Sequence, residues 1–254
     1  MIKSIEIMVN VVKNTHKCGF LDLLCPSRCR GCGELSEVLC GYCKNDIIMD
    51  YVNRCPKCRK EIKTKCEKCK LPFLFTYMVG FRGELIGQMA QEYKFYGIRK
   101  YGEAIAEVLD RVIPKMSGEV VLVPLPTIQK HIRERGLDHT LELARKLARK
   151  RGWKVEQMLV RNKNTVQIGA DKTTRKMQAR EAYKFNSECK VRSGVIYVLI
   201  DDVWTTGASM LEAEKILRSQ GAEDVGCIVV VNARLVGPTG NAEGANDEID
   251  YGEC

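Results

Sequence analysis

Long hydrophobic runs are missing from this chain. A membrane-spanning helix needs about 18 to 20 apolar residues in a row, and the most apolar stretches, Val195 to Ile200 and Cys227 to Val231, have only the length of a strand. The first residues also lack the basic-then-apolar order of a secretory signal, because Lys3, Glu6 and Lys13 interrupt it. The expected setting is therefore the reducing cytoplasm, where paired cysteines bind metal more often than each other. Cysteine is scarce over most of the sequence: past residue 69 only Cys189, Cys227 and Cys254 remain, so no disulfide framework holds the larger part together. With 45% hydrophobic and 29% charged residues among 254, a disordered or fibrous protein is excluded. A single core at this length buries roughly three quarters of the unfolded chain's surface.

Cysteine is concentrated instead near one end. Ten of the 13 lie between Cys18 and Cys69, and eight of these form pairs with two residues between: Cys29/Cys32, Cys40/Cys43, Cys55/Cys58 and Cys66/Cys69. Each position of the first half recurs 26 residues later, so C-x2-C-x7-C-x2-C stands twice in tandem. Four thiolates close a tetrahedral structural Zn²⁺ site and leave no open position for catalysis. The pattern predicts two structural zinc ions in a double zinc ribbon over residues 25–72, a segment too poor in apolar residues to fold without such a staple. Spacing leaves open whether each repeat binds its own ion or the pairs interleave, and Cys18 and Cys25 are read as packing residues, with either an alternate ligand. The thiolates and zinc ions together nearly cancel the surplus of 11 bases over 6 acids in this segment, so the module is no evident nucleic-acid clamp.

The spacing of Ile5, Met8, Val12 and Phe20 to Leu24 predicts an amphipathic helix over residues 1–24. Beyond the cysteines, helical periodicity covers Gly83 to Tyr96 and Tyr101 to Ile113. Val120 to Val123 is a buried strand stopped by Pro124 and Pro126, and a helix from Asp138 to Arg151 ends at Gly152. Strands at Val195–Ile200 and Val225–Val231 flank a helix from Ala208 to Gln220. Apolar strands alternating with helices mean a parallel α/β sheet, assigned to residues 78–236. Residues 161–180, polar and basic without a period, read as a mobile loop; residues 237–254, with five acids and no base, read as a disordered tail. The formal charge of +9 is uneven, since Gln129 to Lys184 hold 16 Lys and Arg against 6 Asp and Glu. Such a block suits a phosphate-bearing partner, although Arg145, Lys146, Arg149, Lys150 and Arg151 also fit the solvated face of a helix.

The most informative string is Val198-Leu199-Ile200-Asp201-Asp202-Val203-Trp204-Thr205-Thr206-Gly207-Ala208-Ser209. An apolar strand ends in two acids, and a turn of small residues then opens a helix. The unpaired N–H groups and positive dipole end of that helix, with the hydroxyls of Thr205, Thr206 and Ser209 and close approach at Gly207, suit a phosphate monoester. The two carboxylates can accept hydrogen bonds from the vicinal hydroxyls of a ribose or touch a hydrated Mg²⁺. Any one of these residues alone is equally an ordinary capped turn; the inference needs the whole string.

This string resembles the phosphoribosyl-diphosphate signature of type I phosphoribosyltransferases. The order of parts resembles the ComF family of bacterial competence-associated proteins, which join an amino-terminal double zinc ribbon to a phosphoribosyltransferase domain. The likeness runs from about Leu21 to Ala233 and includes Tyr93-Lys94-Phe95-Tyr96-Gly97, Val123-Pro124-Leu125-Pro126, Arg133, Arg135-Gly136, Gln167 and Gly221-Ala222. It implies that Asp201 and Asp202 hold the ribose hydroxyls and that Thr205, Thr206, Gly207, Ala208 and Ser209 hold the 5′-phosphate. The turn at Pro124 and Leu125, with Arg133 and Arg135, would bind pyrophosphate, and loop 161–180, with Arg161, Lys163, Lys172, Arg175 and Lys176, would close over the site. The chain departs from the family in reading Arg135-Gly136-Leu137-Asp138-His139 where Arg-Gly-Phe-Asn-Gln is usual. Thr205 stands where purine-salvage relatives carry an acid; His139 and His131 are the candidate bases, each also readable as a packed or surface histidine.

Two function classes follow. One is an enzyme that transfers a phosphoribosyl group from phosphoribosyl diphosphate, with Mg²⁺, to an unidentified acceptor. The other is a binding protein without turnover that serves DNA uptake by holding a phosphate ligand or single-stranded DNA, with Phe95, Tyr96, Trp153, Tyr183 and Trp204 as candidate stacking residues. A purely structural reading makes the zinc module a docking surface for a helicase-like partner of DNA uptake or for a membrane partner.

Overall fold

The computed structural model describes residues 27–162 and 182–233. The helix expected over residues 1–24, Cys18, Cys25, nearly all of the basic loop and the acidic tail lie outside the described residues.

In chain order the elements are α1 (Gly41–Met49), β1 (Thr76–Phe81), α2 (Leu85–Tyr96), α3 (Arg99–Val112), β2 (Glu119–Pro124), α4 (Gln129–Arg135) and α5 (His139–Arg151). There follow β3 (Lys154–Val155), β4 (Leu159–Arg161), β5 (Tyr183–Phe185), β6 (Val195–Trp204), α6 (Ala208–Ser219) and β7 (Asp224–Asn232). Five strands make one parallel sheet in the order β1-β7-β6-β2-β3, and β4 pairs with β5 as an antiparallel hairpin. The expected parallel sheet with flanking helices is present.

Successive side chains on a strand face opposite sides, and here both sides are covered. Val120, Leu122, Val198, Ile200 and Ile228 pack with α2, α3 and α5; Val121, Val123, Tyr197, Leu199 and Val229 pack with α6 and the hairpin. That double cover is why the strands read as unbroken apolar runs. Helix ends follow local chemistry. Asp138 caps α5 by accepting the Leu141 N–H at 3.2 Å, and α3 gives way at Ile113, whose extended backbone (ψ 126°) is what a following proline imposes. One expectation is corrected: β6 does not stop at Ile200 but stays paired with β7 through Trp204, so both acids belong to the strand.

The cysteine-rich segment repeats in backbone as it does in sequence. Isolated bridges Arg28↔Leu35 and Arg54↔Glu61 are 26 residues apart, and so are the hydrogen bonds Cys29 N–H to Glu34 O and Cys55 N–H to Lys60 O. The repeats attach to the sheet differently. The first meets the helices through buried Leu39 and Cys29 and through exposed and half-buried polar pairs: Lys44 with Glu107 at 2.7 Å, Arg30 with Glu92 at 3.0 Å and Arg111 with Asn45 at 2.8 Å. The second is sewn to the sheet by buried amides. Asn53 donates to Lys63 O and Thr76 O and accepts from Met78 N–H, while Asn232, at the end of β7, donates to Pro56 O at 2.7 Å.

Candidate functional site

The eight paired cysteines gather into two groups, Cys29, Cys32, Cys40 and Cys43, and Cys55, Cys58, Cys66 and Cys69, with the ligand atoms of each group within 4.8 Å of one another. Pairing is therefore sequential, one of the alternatives that spacing left open. Sulfurs held about 2.3 Å from a tetrahedral ion stand roughly 3.8 Å apart; Cys32 to Cys40 is 3.8 Å and Cys58 to Cys66 is 3.5 Å. Burial opposes ionisation of Cys29, yet amide hydrogen bonds led by that of Cys40 bring it down to about 6, whereas burial and the neighbouring thiols push Cys43 up to about 12. The second group repeats this division, with Cys58 down to about 7 and Cys69 up to about 12. Four sulfurs that cannot all ionise side by side without a cation among them fit Zn²⁺.

A second site lies at the carboxyl edge of the sheet, where ligands of open α/β sheets bind. A cavity of about 580 Å³ opens there, lined in part by Asp201, Asp202, Thr205, Ser209, Leu125 and Arg135. The loop from Thr205 to Ser209 is shaped by one packing contact: Gly207 has φ +80°, and a Cβ there would stand 2.1 Å from the Trp204 ring. Only glycine fits both the backbone and the space. Thr206 turns its hydroxyl back to accept the Ala208 N–H at 3.3 Å, which engages the first amide of α6. Thr205 and Ser209 line the cavity. On the other side, Leu125 N–H prolongs the sheet ladder to Ile200 O at 3.1 Å, which seats the turn that follows Pro124 beside β6. Pro124 itself is buried in β2, and Arg133 is exposed on α4 and does not line the cavity.

The two acids have different surroundings, as alternation along a strand requires. Asp202 is buried toward α2 and α5, with its Oδ2 2.8 Å from Lys94 Nζ and 3.5 Å from His139 Nε2. Burial alone would raise its carboxyl, but His139 and Lys94 outweigh that and hold it well below the usual carboxylate range. Asp201 accepts the Asp202 N–H at 2.9 Å, and burial together with the adjacent Asp202 charge pushes its carboxyl well up. Asp202 is thus already supplied with a cation, Lys94, by the protein, while Asp201 gains from any donor or cation a ligand brings. His139, a candidate base in the sequence, is buried, and its Nδ1 has no hydrogen-bond partner among the described residues.

Sequence reasoning misses Arg82 and Gln91 in the cavity wall and gives Lys94 no role. Lys94, Gln91 and Phe95 share one face of α2, at the three- and four-residue spacing that makes helix neighbours. Among the candidate stacking residues, Trp204 and Tyr183 are core, Trp153 lies under Arg151, and Phe95 and Tyr96 are exposed. The basic face of α5 is largely neutralised: Lys146 and Lys150 pair with Glu103, and Arg151 with Asp110.

A parallel sheet with flanking helices, a glycine-turned loop and two acids at its carboxyl edge, preceded by two four-cysteine groups, fits the double zinc ribbon and phosphoribosyltransferase-type sheet expected from the sequence. The chain is similar to competence protein ComFC of Streptococcus pneumoniae, 26% identical over 202 residues that cover 74% of this chain and 84% of that protein. The resemblance to the ComF family therefore holds. The chain is also similar to the orotate phosphoribosyltransferase of Pyrococcus horikoshii, 41% identical over 63 residues, 25% of this chain and 30% of that protein. Among solved structures, a glutamine phosphoribosylpyrophosphate amidotransferase from B. subtilis overlaps 50% of this chain and 24% of its own, at 18% identity and a TM-score of 0.33. An allosteric regulatory enzyme of purine biosynthesis overlaps to the same extent, at 20% identity and a TM-score of 0.32. No protein-family model matches the chain. Among the described residues no helix is long and apolar enough to cross a membrane.

Proposed function

We propose that this protein binds phosphoribosyl diphosphate with Mg²⁺ and transfers the phosphoribosyl group to an acceptor. The observation that carries the reading is the convergence of Asp201, Thr205, Ser209 and Leu125 on one cavity of about 580 Å³, the size of a small-molecule site. The amides at the start of α6, with the Thr205 and Ser209 hydroxyls, receive the 5′-phosphate. Asp201 accepts a ribose hydroxyl, and the turn after Pro124 receives the diphosphate. Mg²⁺, when bound with the diphosphate, supplies charge neutralisation, and Asp201 is the carboxylate suited to it. In the transfer an acceptor lone pair forms a bond to C1 as the C1–O bond to diphosphate breaks. The diphosphate leaves with the electron pair, and the acceptor's proton passes to solvent. The chain's part is to hold the anions and exclude water from an oxocarbenium-like sugar. Asp202 is assigned to holding Lys94 and His139 rather than to the sugar.

The similarity to a competence protein supports a setting in cytoplasmic DNA uptake. Direct binding of single-stranded DNA has weaker support, given the paired bases of α5 and the buried Trp204 and Tyr183; affinity that ignores salt would exclude it. A ³¹P spectrum of the zinc-loaded protein with phosphoribosyl diphosphate and Mg²⁺ tests the main reading. Perturbed ligand signals that an Asp201→Asn variant loses are expected, and release of pyrophosphate with an acceptor present establishes turnover. Ligand signals unaffected by the wild-type protein would sink the proposal.

A further inference from the structure

One edge of the five-stranded sheet is β1, which pairs within the sheet with β7 alone. The outward backbone groups of an edge strand need partners from elsewhere. Asn53 takes the place of a next strand over part of this edge: its amide donates to Thr76 O and accepts from Met78 N–H. Alternate residues of a strand turn their backbone groups to the same side, so the next outward groups are Met78 O and Gly80 N–H. Neither has a hydrogen-bond partner among the described residues. A cavity of about 670 Å³ opens at this stretch of edge, between β1 and the first cysteine repeat. Ile47, Val52 and Leu85 give it apolar walls, and its carboxylates are Asp46, Asp50 and Glu84. Arg54 is the base in the lining, and Glu61 already holds it at 3.4 Å. Asp46 and Asp50 are exposed and make no ion pair among the described residues. Asp46 also lies on α1 between the exposed Tyr42 and Met49, at the spacing of helix neighbours. Exposed apolar side chains grouped beside a groove mark an interaction surface.

We propose that this edge docks an extended basic segment of a protein partner. The segment pairs its main chain with Met78 O and Gly80 N–H, sets apolar side chains against Ile47, Val52 and Leu85, and brings lysines or arginines to Asp46 and Asp50. Strand addition draws affinity from main-chain hydrogen bonds and specificity from alternate side chains. Charge decides the class of partner: an acidic peptide or a nucleic acid meets three carboxylates and no free base in the lining. A second copy of this chain is the competing occupant. The groove shares no lining residue with the cavity at the carboxyl edge, and the inference does not rest on the proposed transfer reaction.

The probes are a capped peptide of four lysine-valine repeats, its glutamate-valine counterpart, and two N-methylated forms of the lysine peptide, one methylated on the lysine amides and one on the valine amides. Affinity for the full zinc-loaded chain is read by fluorescence anisotropy of the labelled peptide, and the place of binding by amide hydrogen exchange. The lysine peptide is expected to bind about tenfold or more tightly than the glutamate peptide and to slow exchange in β1. One methylated form, which lacks the N–H groups turned to β1, should lose about tenfold, while the other should match the parent; adhesion by charge alone would treat both forms alike. Asp46→Asn combined with Asp50→Asn, both at exposed positions, should shrink the ratio of lysine to glutamate affinities. No binding of the lysine peptide, equal affinity for the glutamate peptide, indifference to both methylations, or a ratio that survives the double variant would overturn the docking surface. Self-association of the free chain that the lysine peptide reverses would also overturn it, by making a second copy the occupant.

Discussion

The two cysteine repeats share a sequence pattern and a backbone, yet they hold the molecule in different ways. The first repeat lies against α2 and α3 through ion pairs that solvent reaches and through Leu39 and Cys29, which join the apolar cluster of those helices, while its helix α1 fully buries no residue. The second repeat ties into β1 and β7 through Asn53 and Asn232, which are buried and hydrogen-bonded to backbone. Exposed ion pairs contribute at most about 1 kcal/mol each, whereas a buried amide that loses its partner costs about 1 to 3 kcal/mol. Duplication therefore supplies two similar metal knuckles, and their attachments decide which one the sheet depends on.

The largest effect that would break this comparison is loss of one cluster at a time. Cys66→Ser should lower the melting temperature by about 10 °C or more, with hydrogen exchange rising in β1 and β7. Cys40→Ser, its counterpart 26 residues earlier, should confine faster exchange to residues 27–50; equal global losses would show that the repeats are equivalent. Next, Asn53→Ala should destabilise by about 3 kcal/mol in chemical denaturation, because Thr76 O and Met78 N–H are left buried. Lys44→Ala, which removes pairs with Glu37 and Glu107, should cost only about 1 kcal/mol and less in high salt. The smallest effect concerns the knuckle itself. Gly33 and Arg59 occupy equivalent left-handed positions at φ 79° and 64°, so Arg59→Gly should stabilise by up to about 1 kcal/mol and Gly33→Ala should destabilise by a similar amount.

How much of this is legible in the sequence follows from what each element buries. The three central strands and the helices α2, α3, α5 and α6 belong to or cover an apolar sheet, so their periods are visible. Helix α1 escapes notice because its large apolar residues Tyr42 and Met49 point to solvent, at 85% and 84% exposure, and leave no stripe to read. Strand β1 is hidden as a short segment, with a glycine near its end, directly after the cysteines. Two carboxylates inside a paired region likewise conceal the true end of β6. At the candidate site, the loop from Thr205 to Ser209 is legible because it is one continuous string. Lys94 and His139 reach Asp202 from α2 and α5, and no local pattern announces a contact made only by the packed sheet. The spacing of the cysteines sets their number and grouping into pairs but not their sequential partnership, which depends on how the chain turns between them.

The ring that forbids a side chain at Gly207 has an optical consequence. The protein has two tryptophans. Trp153 sits under the Arg151 guanidinium at 5.1 Å, while Trp204, 2% exposed, follows the two acids on β6 and packs against Gly207 at the start of α6. An anion arriving at that turn changes the electric field across the Trp204 indole without touching it. With Trp153 replaced by phenylalanine, the chain's own fluorescence becomes a label-free reporter of any anion bound at the turn that opens α6.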